Sequence, residues 1–157
     1  MSDLIEIVIE DIKRSQVLDV LTKLTEGAGG AQKIWSSDED FALDSSIGAS
    51  IQDLSNFIDQ ADDAVLYFSF ESLTLGEVRL QQVLLRLVKY SEKFDIDFSF
   101  DEASVSDWQM SMLMVKVQKF IAMLVSGANV GDWFGGIEPA SDEDTRYFTQ
   151  DASGPLL

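Results

Sequence analysis

From Asp95 to Phe100 apolar and polar residues alternate without a break. Ile96, Phe98 and Phe100 fall on one side and Asp95, Asp97 and Ser99 on the other. A strand has a side-chain period of two, so such a segment fits a sheet with one buried and one polar face. Leu4 to Ile9 repeats the pattern, with Ile5, Ile7 and Ile9 against Glu6, Val8 and Glu10. Thirty residues before the second Phe-Ser-Phe stands another: Leu66-Tyr67-Phe68-Ser69-Phe70-Glu71 aligns with Ile96-Asp97-Phe98-Ser99-Phe100-Asp101. At the same offset Glu77 falls on Asp107, Arg86 on Lys116, Lys89 on Lys119 and Tyr90 on Phe120. Each copy reads strand then helix, which predicts a βαβ-like unit with both helices on one side. Duplication and shared constraint both remain open as the origin of the likeness.

A sheet covered on both faces has strands that are apolar throughout. Alternation therefore predicts a two-layer α+β domain, with a mixed sheet and helices mainly on one face. Phe68, Phe70, Phe98 and Phe100 would pack under the helices. Tyr67, Ser69, Asp95, Asp97 and Glu6, with Glu10 at the margin, would line an open, acidic face.

Along the chain, the spacing of Val17, Val20, Leu21 and Leu24 predicts a helix over residues 12–25, ended by Gly27, Gly29 and Gly30. Gln32 to Trp35 and Asp40 to Leu43 read as two short strands around the polar turn Ser36-Ser37-Asp38-Glu39. Ile51, Leu54, Phe57 and Ile58 make a helical stripe over 50–61. Thr74-Leu75-Gly76-Glu77 and Ser106-Asp107-Trp108-Gln109 resemble capping boxes and predict helices over 74–93 and 106–125. Gly135-Gly136 and Pro139 punctuate turns, and Arg146 to Thr149 reads as a short edge strand. Asp151 to Leu157 is expected to be a loose end of a single domain.

Composition narrows the chemistry. The 157 residues include neither cysteine nor histidine. Disulfides, thiolate metal sites, His-ligated zinc and every Ser-His arrangement are thereby excluded. Carboxylate runs are frequent because acids are frequent, and no Asp-x-Asp-x-Asp-Gly loop is present. No cofactor, metal or catalytic residue is assigned, and the chain is expected not to be an enzyme. Twenty-eight acids against eleven bases give a formal net charge of −17. That charge repels nucleic-acid phosphates and anionic membrane surfaces. It would steer a cationic protein toward the chain, or it serves solubility alone. The N-terminus carries no signal-peptide pattern, and the most apolar run, Met110 to Val125, is too short to span a bilayer, so the cytoplasm is the expected location.

Candidate partner-binding residues follow from these patterns. They are Glu6, Tyr67, Asp95 and Asp97 on the open face, with the acidic runs Asp38, Glu39, Asp40 and Asp142, Glu143, Asp144. Tyrosine suits interfaces and carboxylates pair with Arg and Lys. A solvated face without a partner is the alternative. Trp133 and Phe134 are either loop anchors or the floor of the core.

The tail carries a family resemblance. Trp133-Phe134-Gly135-Gly136-Ile137-Glu138-Pro139-Ala140, then Asp142 to Thr149 and Gly154-Pro155-Leu156, resembles the end of small bacterial immunity proteins. Those belong to polymorphic-toxin and contact-dependent growth-inhibition systems. The resemblance implies a cytoplasmic protein that binds one cognate toxin domain, often a basic nuclease, and blocks its active site. It carries over no functional residue. The alternative is an acidic type III-like secretion chaperone for an effector protein, which would form a homodimer.

Overall fold

The computed structural model describes residues 2–28, 31–37, 51–60 and 63–157. Among these the chain forms β1 (Leu4–Lys13), α1 (Arg14–Leu24), β2 (Ala31–Ser36), α2 (Ile51–Asp59), β3 (Ala64–Leu75) and β4 (Val78–Tyr90). β5 (Lys93–Asp101), α3 (Met110–Leu124), β6 (Trp133–Ile137) and β7 (Arg146–Thr149) complete it. The seven strands make one sheet in the order β2-β3-β4-β5-β1-β6-β7. Every neighbouring pair is antiparallel. The α+β class holds, but neither the mixed sheet nor the βαβ-like unit does.

The segment expected to be a helix over 74–93 is the strand β4. Its buried residues are Val78, Leu80, Val83, Leu85 and Leu87. The alternation skips one residue between Leu80 and Val83, where Gln82 has φ +53°. β3 skips one at the same level, between Phe70 and Leu73, so the two strands keep their register through the irregularity. In sequence Leu84 and Val88, apolar residues on the other side of the strand, stand beside the core residues Val83 and Leu87 and give the four a helix-like spacing. The supposed capping box is instead a hairpin turn. Leu75 pairs with Val78, and Gly76 (φ +63°) takes the first central position, where a type II′ turn needs glycine.

The near-repeat has a structural counterpart of a different kind. β3 and β5 flank β4 symmetrically, so Phe68 and Phe98 both pair with Leu85, and Leu66 and Ile96 both pair with Leu87. Equivalent residues of the two copies thus meet the same central side chains.

All three helices cover one face. Val17, Val20, Leu21 and Leu24 of α1 join Phe57 and Ile58 of α2 and Leu113, Met114, Val117, Ile121 and Leu124 of α3 in one buried cluster. The opposing layer is Ile5, Ile7, Ile9, Phe68, Phe70, Leu85, Leu87, Phe98 and Phe100. One charge enters this layer. Lys89 is 5% exposed and its Nζ donates to the Ile58 carbonyl at 3.0 Å. That carbonyl lies in the last turn of α2, where carbonyls lack helical partners and the dipole favours a cation. Arg14 Nη2 to Asp59 Oδ1 at 2.6 Å further ties α1 to α2. No described helix is long and apolar enough to cross a membrane.

Other boundaries differ in instructive ways. β1 runs on to Lys13 through a bulge, with Asp11 at φ +54°. α3 starts at Met110, because Asp101 caps a short 3₁₀ turn over Glu102–Val105 and delays the helix. β6 was read as turns because of its glycines, yet it is an inner strand. A Cβ on Gly135 would meet Ile7 Cδ1 and Phe148 Cζ at 2.6 Å, and one on Gly136 would meet the Thr145 carbonyl at 2.4 Å. Here glycine marks close approach. The expected loose end is tied down: Gly154 N–H donates to the Tyr147 carbonyl at 2.8 Å and Leu156 N–H to that of Arg146 at 3.1 Å. The expected strand Asp40–Leu43 lies outside the described residues.

Two expectations follow. Ser91 (φ +46°) and Glu92 (φ +67°) form the two-residue β4–β5 turn, both in the left-handed region. Asn-Gly is the favoured pair for such a turn. The double substitution Ser91→Asn, Glu92→Gly should stabilise by about 1 kcal/mol and raise the melting temperature by roughly 2–4 °C in thermal circular dichroism. Gly135→Val should cost about 2 kcal/mol or more in urea unfolding, because neither Ile7 nor the Phe148 ring can yield without disturbing the core.

Candidate functional site

The face without helices is organised in rows, because residues paired across an antiparallel sheet share a side. One row aligns Trp35, Tyr67, Arg86, Asp97, Val8 and Phe134. The next aligns Lys33, Ser69, Leu84, Ser99, Glu6 and Gly136. On the other side Val65, Val88 and Asp95 form a shorter row.

The main row changes character along its length. Trp35 and Tyr67 stack with ring centroids 5.1 Å apart and planes 5° from parallel. Lys33 Nζ lies 5.1 Å over the Trp35 ring. Beside Tyr67, Arg86 donates from Nε and Nη2 to the two carboxylate oxygens of Asp97, each at 2.8 Å. Such forked pairing fixes both planes. Asp97 is only 8% exposed. Beyond it Val8, Phe134 and Ala140 form a small second core.

The turn between β6 and β7 closes that end. Arg146 lies 4.2 Å over the Phe134 ring and donates from Nε to the Ala140 carbonyl at 2.9 Å. The same turn presents Asp142, Glu143 and Asp144 to solvent, with the Asp142 carboxylate accepting from the Asp144 N–H at 3.1 Å. Among the described residues the helix-free face is covered near β6, and no helix lies over it at β3, β4 and β5. Trp133 and Phe134 divide between its two sides. Trp133 points into the main core and Phe134 into the small one.

Four carboxylates on this face sit above their ordinary pKa. Burial is the first cause for each. Asp97 is raised by burial, and the Arg86 hydrogen bond opposes the rise. Glu6 is raised by burial and then by the charges of Asp97 and Glu138, against a hydrogen bond from the Ala140 N–H. Asp95 is raised by burial, although it accepts from the Asp11 N–H at 2.9 Å and the Tyr90 hydroxyl at 3.0 Å. Glu10 is raised by burial, then by Asp95, Asp11 and Asp132. Tyr90, which also donates to Asp11 at 2.6 Å, is raised by burial and by those two acids. Like charges are thus crowded where water is partly excluded.

Of the residues singled out from sequence, Glu6, Tyr67, Asp95 and Asp97 do share this face, and Asp142, Glu143 and Asp144 occupy the turn that borders it. Asp38, Glu39 and Asp40 lie outside the described residues. Arg86 and Trp35 were missed. With a helix expected over 74–93, the pairing of Arg86 with Asp97 is not visible in the sequence. The signal was the place of Arg86 between Leu85 and Leu87 in a correctly phased strand. Trp35 stood in a segment read as a strand, but its facing was left unread.

An acid whose pKa is higher folded than unfolded binds more protons in the folded state. It weakens the fold as pH rises through that interval, and the penalty is relieved as pH falls below it. Glu6, Glu10, Asp95 and Asp97 therefore oppose folding at neutral pH. Glu77 and Asp101, held low by Lys116 and by Ser2, titrate below this window. The melting temperature should rise as pH is lowered from 7 toward 5, and Glu6→Gln should rise less, as read by scanning calorimetry.

Comparison with known proteins adds three findings. A family model described as the PABL017 Cdi1I immunity protein matches residues 3–153. The chain is also similar to a chain in the crystal structure of the toxic C-terminal tip of CdiA from Pseudomonas aeruginosa in complex with immune protein. Identity is 25% over 100% of both chains, with a TM-score of 0.86. No curated protein matches.

Proposed function

The chain belongs to the Cdi1I immunity protein family, and from that premise we propose that it is a non-enzymatic inhibitor of one cognate toxin domain. The toxin is basic and acts as a nuclease, and the bound immunity protein blocks its active site in the cytoplasm. The observation that carries this reading is the end-to-end likeness to a chain of a structure that holds a toxin tip in complex with immune protein. The −17 charge and the crowded carboxylates support the finer part. A nuclease holds its substrate through cations that meet phosphates. Carboxylates presented on a rigid sheet meet the same cations, and complementary potentials speed the encounter.

On this reading Glu6, Asp95 and Asp97, with Asp142, Glu143 and Asp144 on the bordering turn, face the toxin's cationic surface. Tyr67 lies beside them as an uncharged contact. A partner cation would offset the burial, and the lesser mutual repulsion, that raise Glu6, Asp95 and Asp97. Binding would then favour their ionised forms.

The test uses the toxin domain encoded beside this gene. A stoichiometric complex should form, and nucleic-acid cleavage by the toxin should stop at equimolar immunity protein. A domain that binds but has no nuclease activity would remove the nuclease part alone. A domain that does not bind would remove the immunity reading. In stopped-flow association at low salt, Glu6→Gln with Asp95→Asn should lower the on-rate about 3–10-fold and flatten its dependence on ionic strength, with little change in off-rate. These are neutral isosteres, so they leave the Arg86–Asp97 pair in place.

A further inference from the structure

We propose that the Trp35–Tyr67–Arg86 row is the anchor that holds the toxin once it has arrived, distinct from the carboxylates that attract it. This rests on the immunity reading above. Trp, Tyr and Arg are the residues that most often dominate interface energetics. Here they are adjacent on three neighbouring strands, in register across the sheet.

All three are already ordered. Trp35 and Tyr67 lock each other by stacking at 5.1 Å, and Asp97 holds the Arg86 guanidinium at two points. A partner that lands on them freezes few additional rotamers, so more of the contact energy remains as affinity. Apolar residues stand beside the row. Leu84 is 37% exposed in the next row, and Val65 and Val88 stand half-buried in the row opposite. Lys33, Ser69 and Ser99 supply a polar border. No helix of the described chain covers this half of the sheet, and the β6–β7 turn lies at its far end.

The occupant is the toxin, because charge excludes the obvious competitor. A second copy of this chain, with its own −17, would set the same carboxylate-bearing face against Glu6, Asp95 and Asp97. A cationic toxin surface fits the row's two ends together. An apolar or planar group would lie on Trp35 and Tyr67, while cations beside it reach the carboxylates around Asp97. The aromatic end then governs dissociation, and the acidic end governs encounter.

The experiment measures on- and off-rates for the full chain and the toxin domain encoded beside it, at low and high salt. Trp35→Ala should raise the off-rate at least 10-fold while on-rate and salt dependence stay within twofold. Leu84→Arg, at an exposed position, should also raise the off-rate at least 10-fold. It serves as the deciding variant where Trp35→Ala lowers the melting temperature. Off-rates within twofold of the parent in folded variants of both kinds would overturn the anchor while leaving the immunity reading intact. Sedimentation of the free chain as a dimer that Leu84→Arg dissociates would overturn it too, by assigning the row to a second copy. Failure of the parent chain to bind the toxin would remove the immunity reading itself, and the anchor with it.

Discussion

The structure depends on a single sheet whose helix-covered side is apolar except for Lys89 and whose other side is mixed. Three helices can bury one face of seven strands, and they cannot reach the other. Ile5, Phe68, Leu85, Phe98 and their neighbours therefore meet helices, while Glu6, Tyr67, Arg86 and Asp97 lie on the side that the described helices do not cover. Burying one large apolar side chain stabilises by about 1.5–3 kcal/mol, so any register slip that exchanged the faces would cost many such contributions at once. The same constraint that fixes the core thus fixes which residues form the functional surface.

Much of this was legible because alternation is a direct record of facing. β1 and β5 could be read residue by residue, and with them the placement of Glu6, Asp95 and Asp97. β4 could not, since Leu84 and Val88 are apolar on the side away from the helices and, with Val83 and Leu87, make a pattern that a helix also satisfies. Arg86 was lost with it. β6 was lost for a different reason. Gly135 and Gly136 are small because Phe148, Ile7 and Thr145 crowd them, and a sequence shows the glycine without the crowding. The β4–β5 turn left no sign at all, because Ser91 and Glu92 adopt left-handed conformations that glycine or asparagine would normally announce. Local signals were thus legible where one periodicity ruled, and failed where a contact distant in sequence decided.

The resemblance read from the tail concerned residues that prove largely structural. Trp133 enters the core, the two glycines admit their neighbours, and Phe134 with Arg146 fastens the turn over Val8. Many close contacts restrict such a segment. Contact with a partner is not needed to explain that restriction. The same fastening presents Asp142, Glu143 and Asp144 beside the sheet face, so a structural motif also sets where an acidic turn is displayed.

Electrostatics and shape make different demands on such a face. Carboxylates that attract a cationic partner act over about a Debye length, roughly 8 Å at physiological salt, and they act before contact. On the sheet face their crowding opposes the fold, and burial raises Glu6, Asp95 and Asp97 above their ordinary pKa. The forked Arg86–Asp97 pair is the compromise. It gives one carboxylate at the centre of the face a fixed cationic partner and offers the outer edge of a guanidinium to whatever lands. An inhibitor built only from carboxylates would bind fast and release fast as salt rises. A rigid aromatic stack beside the acids supplies contact that salt does not screen. Attraction and retention can then be adjusted at separate residues of one sheet.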